Sequence, residues 1–233
     1  MLGERQQSIL GAVIEAYIRT ARPVASREIA QSKDFGLSPA TIRNEFLRLD
    51  EEGYVVQPHR SAGRVPTDRG YRFFADHLTR SGALSARERE ILGDALGESE
   101  AELCVKALSR AISRISGTFA AAGLTDEDLF YETGFAELLE EPEFEDQKRL
   151  RAFGRMADEM DEEIRFLLRD IGSDEDGARM YIGSENPWPA ARDCTMTIVR
   201  WEHTAGFRGF VGMIGPTRTD YGKHKAIIRF LHG

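Results

Sequence analysis

Cysteine is scarce in this chain: Cys104 and Cys194 stand far apart and fit no metal-ligand or redox spacing. A disulfide scaffold, a zinc ribbon and a dithiol redox centre are therefore not expected. No run of about 18 apolar residues occurs, so no membrane-crossing helix is expected. The opening residues, among them Glu4, Arg5, Gln6 and Gln7, are polar and carry an acid, unlike a secretory signal. A cytoplasmic protein with no membrane partner is the plain expectation. The five histidines, His59, His77, His203, His224 and His232, include no pair at i, i+4 beside an acid, so no metal site is expected. The acidic run around Asp158, Glu159, Asp161, Glu162 and Glu163 has the pattern of a solvated helix face. Gly206, Gly209, Gly212 and Gly215 recur every third residue within FRGFVGMIG, which reads as a crowded strand and not as a phosphate loop. Asp193 and Cys194 have no evident catalytic company. With no nucleophile, base and orienter set in sight, no catalytic residue, no cofactor and no enzyme activity is expected.

What is present is enough to fold. The 233 residues are 41% hydrophobic, which supplies a core for one large domain or two ordinary ones and argues against wholesale disorder. The net charge of −8 is unevenly spread. Residues 1–80 hold 12 Lys+Arg and 10 Asp+Glu, a balance of +2, and residues 81–233 carry the remaining −10. The cationic signal is local, in Arg60, Arg64, Arg69 and Arg72.

The most informative stretch is 38–74. Ser38 can accept a bond from the first free amides of a helix, and Pro39 fits the first helical position, where its missing N–H costs nothing. Ile42, Phe46 and Leu49 form one apolar stripe, leaving Thr41, Arg43, Asn44 and Arg48 off it. Gly53 suits the left-handed turn that ends such a helix. Tyr54, Val55 and Val56 read as a short strand, the turn from Pro58 through His59, Arg60, Ser61 and Gly63 to Arg64 is small and basic, and Val65 starts the return strand. A helix with outward donors followed at once by a cationic hairpin is how a winged helix-turn-helix meets DNA.

Upstream, residues 4–19 make an amphipathic helix with Ile9, Leu10, Val13, Ile14, Tyr17 and Ile18 at helical spacing. Ser26 is expected to cap a short second helix over 27–32 with Ile29 and Ala30 facing inward, and 33–37 turns into the Ser38 helix. Asp68 is expected to cap a further helix through Tyr71, Phe73, Phe74 and Leu78. Residues 85–123 read as helix, with Leu108, Ile112, Ile115 and Phe119 in register. Residues 146–171 read as one long helix whose Leu150, Phe153, Ala157, Met160, Ile164, Leu167 and Ile171 form a heptad seam. That seam is read as lying on the domain's own sheet, with a dimer seam as the alternative. Strands are expected near 179–182, 194–201 and 207–214, and a closing helix over 221–231.

Several segments resemble one family. PVASREIA, SPATIRNEF and QPHRSAGRVPTDRGYRF, near-continuous over residues 4–78, look like the heat-inducible transcription repressors of the HrcA type. FAELLEEPEFEDQKRLRAF, YIGSENP and FVGMIGPTRTDYGK are similar to the same family's middle and closing motifs. The resemblance implies a mainly α protein with an α+β C-terminal part: a winged helix-turn-helix over 1–80, connecting helices over 81–123 and a reduced GAF-like domain over 124–233. Members usually carry a longer middle with an inserted dimerisation domain, which is missing here. By resemblance the chain represses heat-shock and chaperone genes from an inverted-repeat operator, as a homodimer, with a chaperonin as partner. An alternative is a winged-helix regulator whose C-terminal domain senses a small molecule.

Within the 38–74 stretch, Arg43 and Asn44 are the candidate base readers, since Arg suits guanine O6 and N7 and Asn suits adenine N6 and N7. Ser38, Pro39 and Thr41 are placed at the helix start to meet phosphate, with Arg48 farther along. His59, Arg60, Ser61, Gly63 and Arg64 form the wing, whose arginines enter or rim a minor groove and whose Gly63 lets backbone approach a phosphate.

Overall fold

The spacing of Ile9, Leu10, Val13 and Ile14 winds them onto one face of helix α1 (Glu4–Thr20), and all four are fully buried in the computed structural model of the chain. The structure describes residues 2–32, 35–79, 82–171 and 177–232, which fall into two units, Met1–Arg80 and Ser81–Gly233.

In the first unit, α2 (Ser26–Ser32) and α3 (Pro39–Glu51) follow α1, then a two-stranded antiparallel hairpin of β1 (Val55–Val56) and β2 (Val65–Pro66). The unit closes with α4 (Asp68–Phe73), which runs into a π-turn at Phe74–Leu78. Ile29 from α2, Ile42, Phe46 and Leu49 from α3, and Tyr71 after the hairpin complete the core around α1. Two helix starts differ from expectation. Ser26 lies inside α2, because the Ala25 carbonyl accepts from the Glu28 amide at 3.0 Å, and Ala30 is only half-buried. Thr67, not Asp68, caps α4: its hydroxyl accepts from the Gly70 amide at 3.1 Å and donates to the Gly53 carbonyl at 2.7 Å, tying α4 to the base of the hairpin. Of the turn expected over 33–37, Lys33 and Asp34 lie outside the described residues.

The second unit is a five-stranded antiparallel sheet in the order β4-β3-β7-β6-β5, formed by β3 (Phe119–Leu124), β4 (Phe130–Thr133), β5 (Ala178–Ile182), β6 (Cys194–Glu202) and β7 (Arg208–Pro216). Alternate residues face opposite layers, as a strand's period of two demands. Ala120, Ala122, Val211 and Met213 pack against α5 (Ala86–Leu96), α6 (Ala101–Ser116) and α10 (Tyr221–His232). Phe119, Ala121, Phe210 and Ile214 pack against α8 (Gln147–Asp158) and α9 (Met160–Ile171). The short α7 (Phe135–Leu139) precedes these two, and its Leu138 joins the second cluster. Helices on both faces of a five-stranded sheet make this unit GAF-like.

Three readings of the second unit are corrected. Residues 85–123 are not one helix: α5 ends at Leu96, α6 starts at Ala101, and Phe119 belongs to β3. Gly117, at φ 67°, ends α6 in the left-handed region, with its amide bonded to the Ser113 carbonyl at 2.8 Å. The strand β4 was not expected at all. The helix expected over 146–171 is two helices, interrupted at Glu159, whose φ of −107° and ψ of 0° depart from helical values. Its apolar seam is nonetheless in the core: Phe153, Met160, Ile164 and Leu167 are buried against the sheet, so that face is closed to a second copy. The Ile171 side chain lies outside the described residues. Gly209, Gly212 and Gly215 sit in β7, where a Cβ on Gly209 would fall 2.4 Å from the Trp201 ring; the crowding read from the sequence is real.

Candidate nucleic-acid interface

The start of α3 is built by its cap, Ser38, and the first residues of the helix. Ser38 is extended, its hydroxyl accepts from the Thr41 amide at 3.2 Å, and the Ser38 and Thr41 hydroxyls lie 3.0 Å apart. Pro39 opens the helix, and no acidic residue occupies the first turn. The positive end of the helix dipole therefore emerges beside two hydroxyls, with no carboxylate in the helix's own first turn to neutralise it. Because Ile42, Phe46 and Leu49 hold the inner stripe, Arg43, Asn44, Leu47 and Arg48 are exposed on the outer side. The side chains of Arg43 and Asn44 have no hydrogen bond, ion pair or ring contact among the described residues. Arg48 lies 3.7 Å from Glu45, a carboxylate only 4% exposed that Arg5 approaches on its other side at 3.3 Å. Glu45 thus anchors α3 to α1, and it tethers Arg48 loosely.

The hairpin tip owes its shape to Gln57, whose amide donates to the Arg60 carbonyl at 3.1 Å and the Ala62 carbonyl at 2.9 Å. The Ala62 amide closes the turn onto the His59 carbonyl at 2.9 Å, and the Ser61 hydroxyl lies 3.3 Å from His59 Nδ1. His59, Arg60 and Ser61 are exposed, and the Arg60 side chain has no partner.

The other two wing residues do different work. Arg64 is only 5% exposed; its guanidinium pairs with Asp50 of α3 at 3.2 Å, and its backbone forms a two-bond antiparallel bridge with Val24, each bond 2.9 Å. Gly63 is required by that bridge, since a Cβ there would lie 2.2 Å from the Val24 carbonyl oxygen. The close approach that Gly63 permits is to the chain's own backbone. Arg69 lies over the Tyr54 ring at 4.6 Å, and Arg72 pairs with Asp76 at 3.2 Å. Of the four arginines that made up the local cationic signal, Arg60 alone is left unengaged.

The pieces meet in one place. A cleft of about 360 Å³ within the first unit is lined by Arg43, Phe46 and Leu47 of α3, by Ala25 and Ser26, and by Gln57 and residues 60–64 of the hairpin. Helix and hairpin tip thus share a cleft lined by two unpaired guanidiniums, Arg43 and Arg60, and the unpaired Asn44 carboxamide lies beside Arg43 on the exposed side of α3; these are donors suited to phosphate and base edges. Gln57, Glu45 and Leu47 were not singled out from the sequence. A Gln immediately before a Pro-containing turn was the one available hint for Gln57.

A family model described as "Winged helix-turn-helix transcription repressor, HrcA DNA-binding" matches residues 1–78, and one described as "HrcA protein C terminal domain" matches residues 69–224. The chain belongs to the HrcA family. Its first unit is the winged-helix DNA-binding domain of a transcription repressor. A heat-inducible transcription repressor HrcA of Acetivibrio thermocellus is 28% identical over 334 aligned positions, covering 99% of this chain and 94% of the relative. One of Brevibacillus brevis is 26% identical over 331 positions, covering 99% and 96%. Because this HrcA chain has 233 residues, a long stretch of each relative has no counterpart in it. Over 91 residues, 39% of this chain, identity to the HrcA of Pelotomaculum thermopropionicum is 50%, with 26% of that relative covered. A crystal structure of a hypothetical protein shares the fold, with a TM-score of 0.74 at 17% identity over 99% of this chain and 96% of the other.

In the second unit both thiols are enclosed. Burial pushes the Cys194 thiol up to about 12 and the Cys104 thiol to about 11, so neither is a thiolate at neutral pH. No cluster of three metal-ligating side chains forms among the described residues, and no described helix is long and apolar enough to cross a membrane.

Proposed function

We propose that this HrcA-family chain represses heat-shock and chaperone genes in the cytoplasm by binding an inverted-repeat operator as a homodimer, and that heat stress releases it, with a chaperonin as the partner that holds it active. The relatives' common name, heat-inducible transcription repressor, supports the regulatory part. The observation that carries the DNA part is the cleft shared by α3 and the hairpin tip, which the unpaired Arg43 and Arg60 line, with the unpaired Asn44 exposed on α3 next to Arg43. In this reading Arg43 and Asn44 meet base edges, while Ser38, Pro39 and Thr41 at the helix start meet phosphate. Arg48, His59, Arg60 and Ser61 grip the backbone on either side, and Gly63 and Arg64 hold the wing in place from within.

An inverted repeat needs two reading helices related by a two-fold axis, one half-site each. A single module of this kind buries only about 600–1,000 Å², so specific binding depends on pairing. The test is chromatin capture with the protein before and after heat shock. Chaperone promoters should be recovered before and depleted after; their absence from the recovered fragments overturns the heat-shock role and leaves DNA binding standing.

A second reading, small-molecule sensing, is favoured by a cleft of about 880 Å³ in the second unit, lined by Asp126, Arg200, Trp201, Arg208 and Phe230, where the buried Trp201 Nε1 has no hydrogen-bond partner. A rise in melting temperature with a metabolite, without DNA, would support it over the plain repressor.

A further inference from the structure

Leu47 is the residue on the reading face that folding does not account for. The inner side of α3 is filled by Ile42, Phe46 and Leu49, all buried, whereas Leu47 is 49% exposed. It follows Arg43 by four residues and Asn44 by three, the two spacings that make helix residues neighbours on one face. Single exposed leucines are ordinary on a protein surface. This one is different in its surroundings: it lines the cleft between α3 and the hairpin with Ala25, Phe46 and Ala62, and the unpaired Arg43 and Arg60 line the same cleft. The result is a small apolar patch in a cationic cleft. Phosphate gains nothing from it, and neither does a donor or acceptor on a base edge. In the major groove the one apolar group that distinguishes a base is the 5-methyl of thymine.

We infer that Leu47 and the alanines beside it form a subsite for a thymine methyl, and that Leu47 is a specificity-determining residue of the operator complex. The inference rests on the proposed DNA-reading role of α3. Arg43 and Asn44 supply hydrogen bonds, and Leu47 adds a selection for thymine over cytosine or uracil that depends on shape and desolvation alone.

The test begins with duplexes enriched by the wild-type full-length chain from a randomised pool. Each thymine of the enriched duplex is then replaced singly by deoxyuridine, which removes the methyl and leaves every hydrogen-bonding group in place. At one thymine in each half-site the wild-type affinity should fall about fourfold, the factor expected for one buried methyl. Leu47→Ala should lose a similar factor on the thymine duplex and be indifferent to deoxyuridine at that position, while Leu47→Met, which keeps the apolar reach, should stay sensitive. Leu47 is exposed, so both variants should melt as the wild type does. If Leu47→Ala keeps the wild-type response to deoxyuridine at every position, or if no position responds in the wild type, the subsite is overturned and the DNA-reading role survives. If no duplex is enriched at all, that role falls and the subsite with it.

Discussion

Three polar side chains on this molecule look alike in a sequence and act differently in the fold. Arg60 is exposed with no partner, Arg64 is buried against Asp50, and His224 is wholly enclosed by Thr197 and Thr219 at 2.9 and 3.0 Å. Arg60→Ala should weaken binding to every duplex about equally and flatten the dependence of log K on log salt by about 0.9, one lost phosphate contact. Asn44→Ala should instead relax the preference at one base pair by about 1–3 kcal/mol. Titrations on specific and random duplex at several salt concentrations separate the two, and identical behaviour of both variants contradicts the assignment. Gly63→Ala should act through stability, because its Cβ would overlap the Val24 backbone; a loss of about 3 kcal/mol would lower the melting point of the first unit by more than 10 °C, roughly. Binding lost with no change in melting would return Gly63 to the phosphate-contact role.

His224 makes a prediction about acid. Burial pulls its imidazole down to about 4 from an ordinary value of 6.5. The folded unit therefore holds it neutral, one ring nitrogen donating and the other accepting, with the two threonine hydroxyls as partners. The stabilisation is fully present above pH 6.5 and is lost as pH falls toward 4, because in that window the unfolded chain binds a proton that the folded one refuses. The loss should reach about 3 kcal/mol. His224→Gln, which keeps a donor and an acceptor, should flatten the fall of stability with acid over that range; denaturant titrations at a series of pH values read it directly, and an unchanged slope would assign the linkage to other groups.

At the scale of elements, the joints matter more than the helices and strands. Arg218, three residues before the start of α10, forms a bidentate pair with Glu143 at 2.6 and 2.9 Å, within the short 3₁₀ turn Pro142–Glu145, and also bonds Glu141, which caps that turn. Two segments separated by the whole α8 to β7 region are joined there by one guanidinium. Arg218→Lys keeps the charge and removes the fork, so it should cost about 2 kcal/mol of the second unit's stability. A melting curve unchanged by that substitution would mean that the pair is ornamental. The same scale shows why reading failed at β3. Phe119–Leu124 is FAAAGL, a helix-prone string, yet it lies between β4 and β7 with all six residues buried. Small alanines are what a central strand needs when helices press on both faces, and that need is invisible until the layers exist. Gly97 and Gly117, which end α5 and α6, were the available punctuation.

For the molecule as a whole, the distribution of charge is the governing fact. Residues 81–233 carry −10, which opposes their own approach to phosphate and leaves contact with DNA to the winged helix. The heptad seam of α8 and α9 is spent on the sheet, so the homodimer proposed above requires another surface. Light scattering of the operator complex should give two chains per duplex; one chain per duplex at saturation would end the inverted-repeat reading.

The sequence by itself determined what is encoded within a few residues. The Ser38 cap, the proline behind it, the apolar stripe of α3, the glycine after it and the basic turn all state their geometry locally, and together they carried the winged helix and the exposed side of α3. Tertiary structure alone decided what depends on partners far along the chain: that Arg64 turns inward to Asp50, that Gly63 is needed by Val24, that the seam meets a sheet, that Leu47 is left facing out. Caps and turns are satisfied by neighbouring backbone groups, so a single stretch shows them. Whether a guanidinium, a methyl group or an apolar face is free or covered depends on what the rest of the chain brings against it, and only the packed molecule contains that answer.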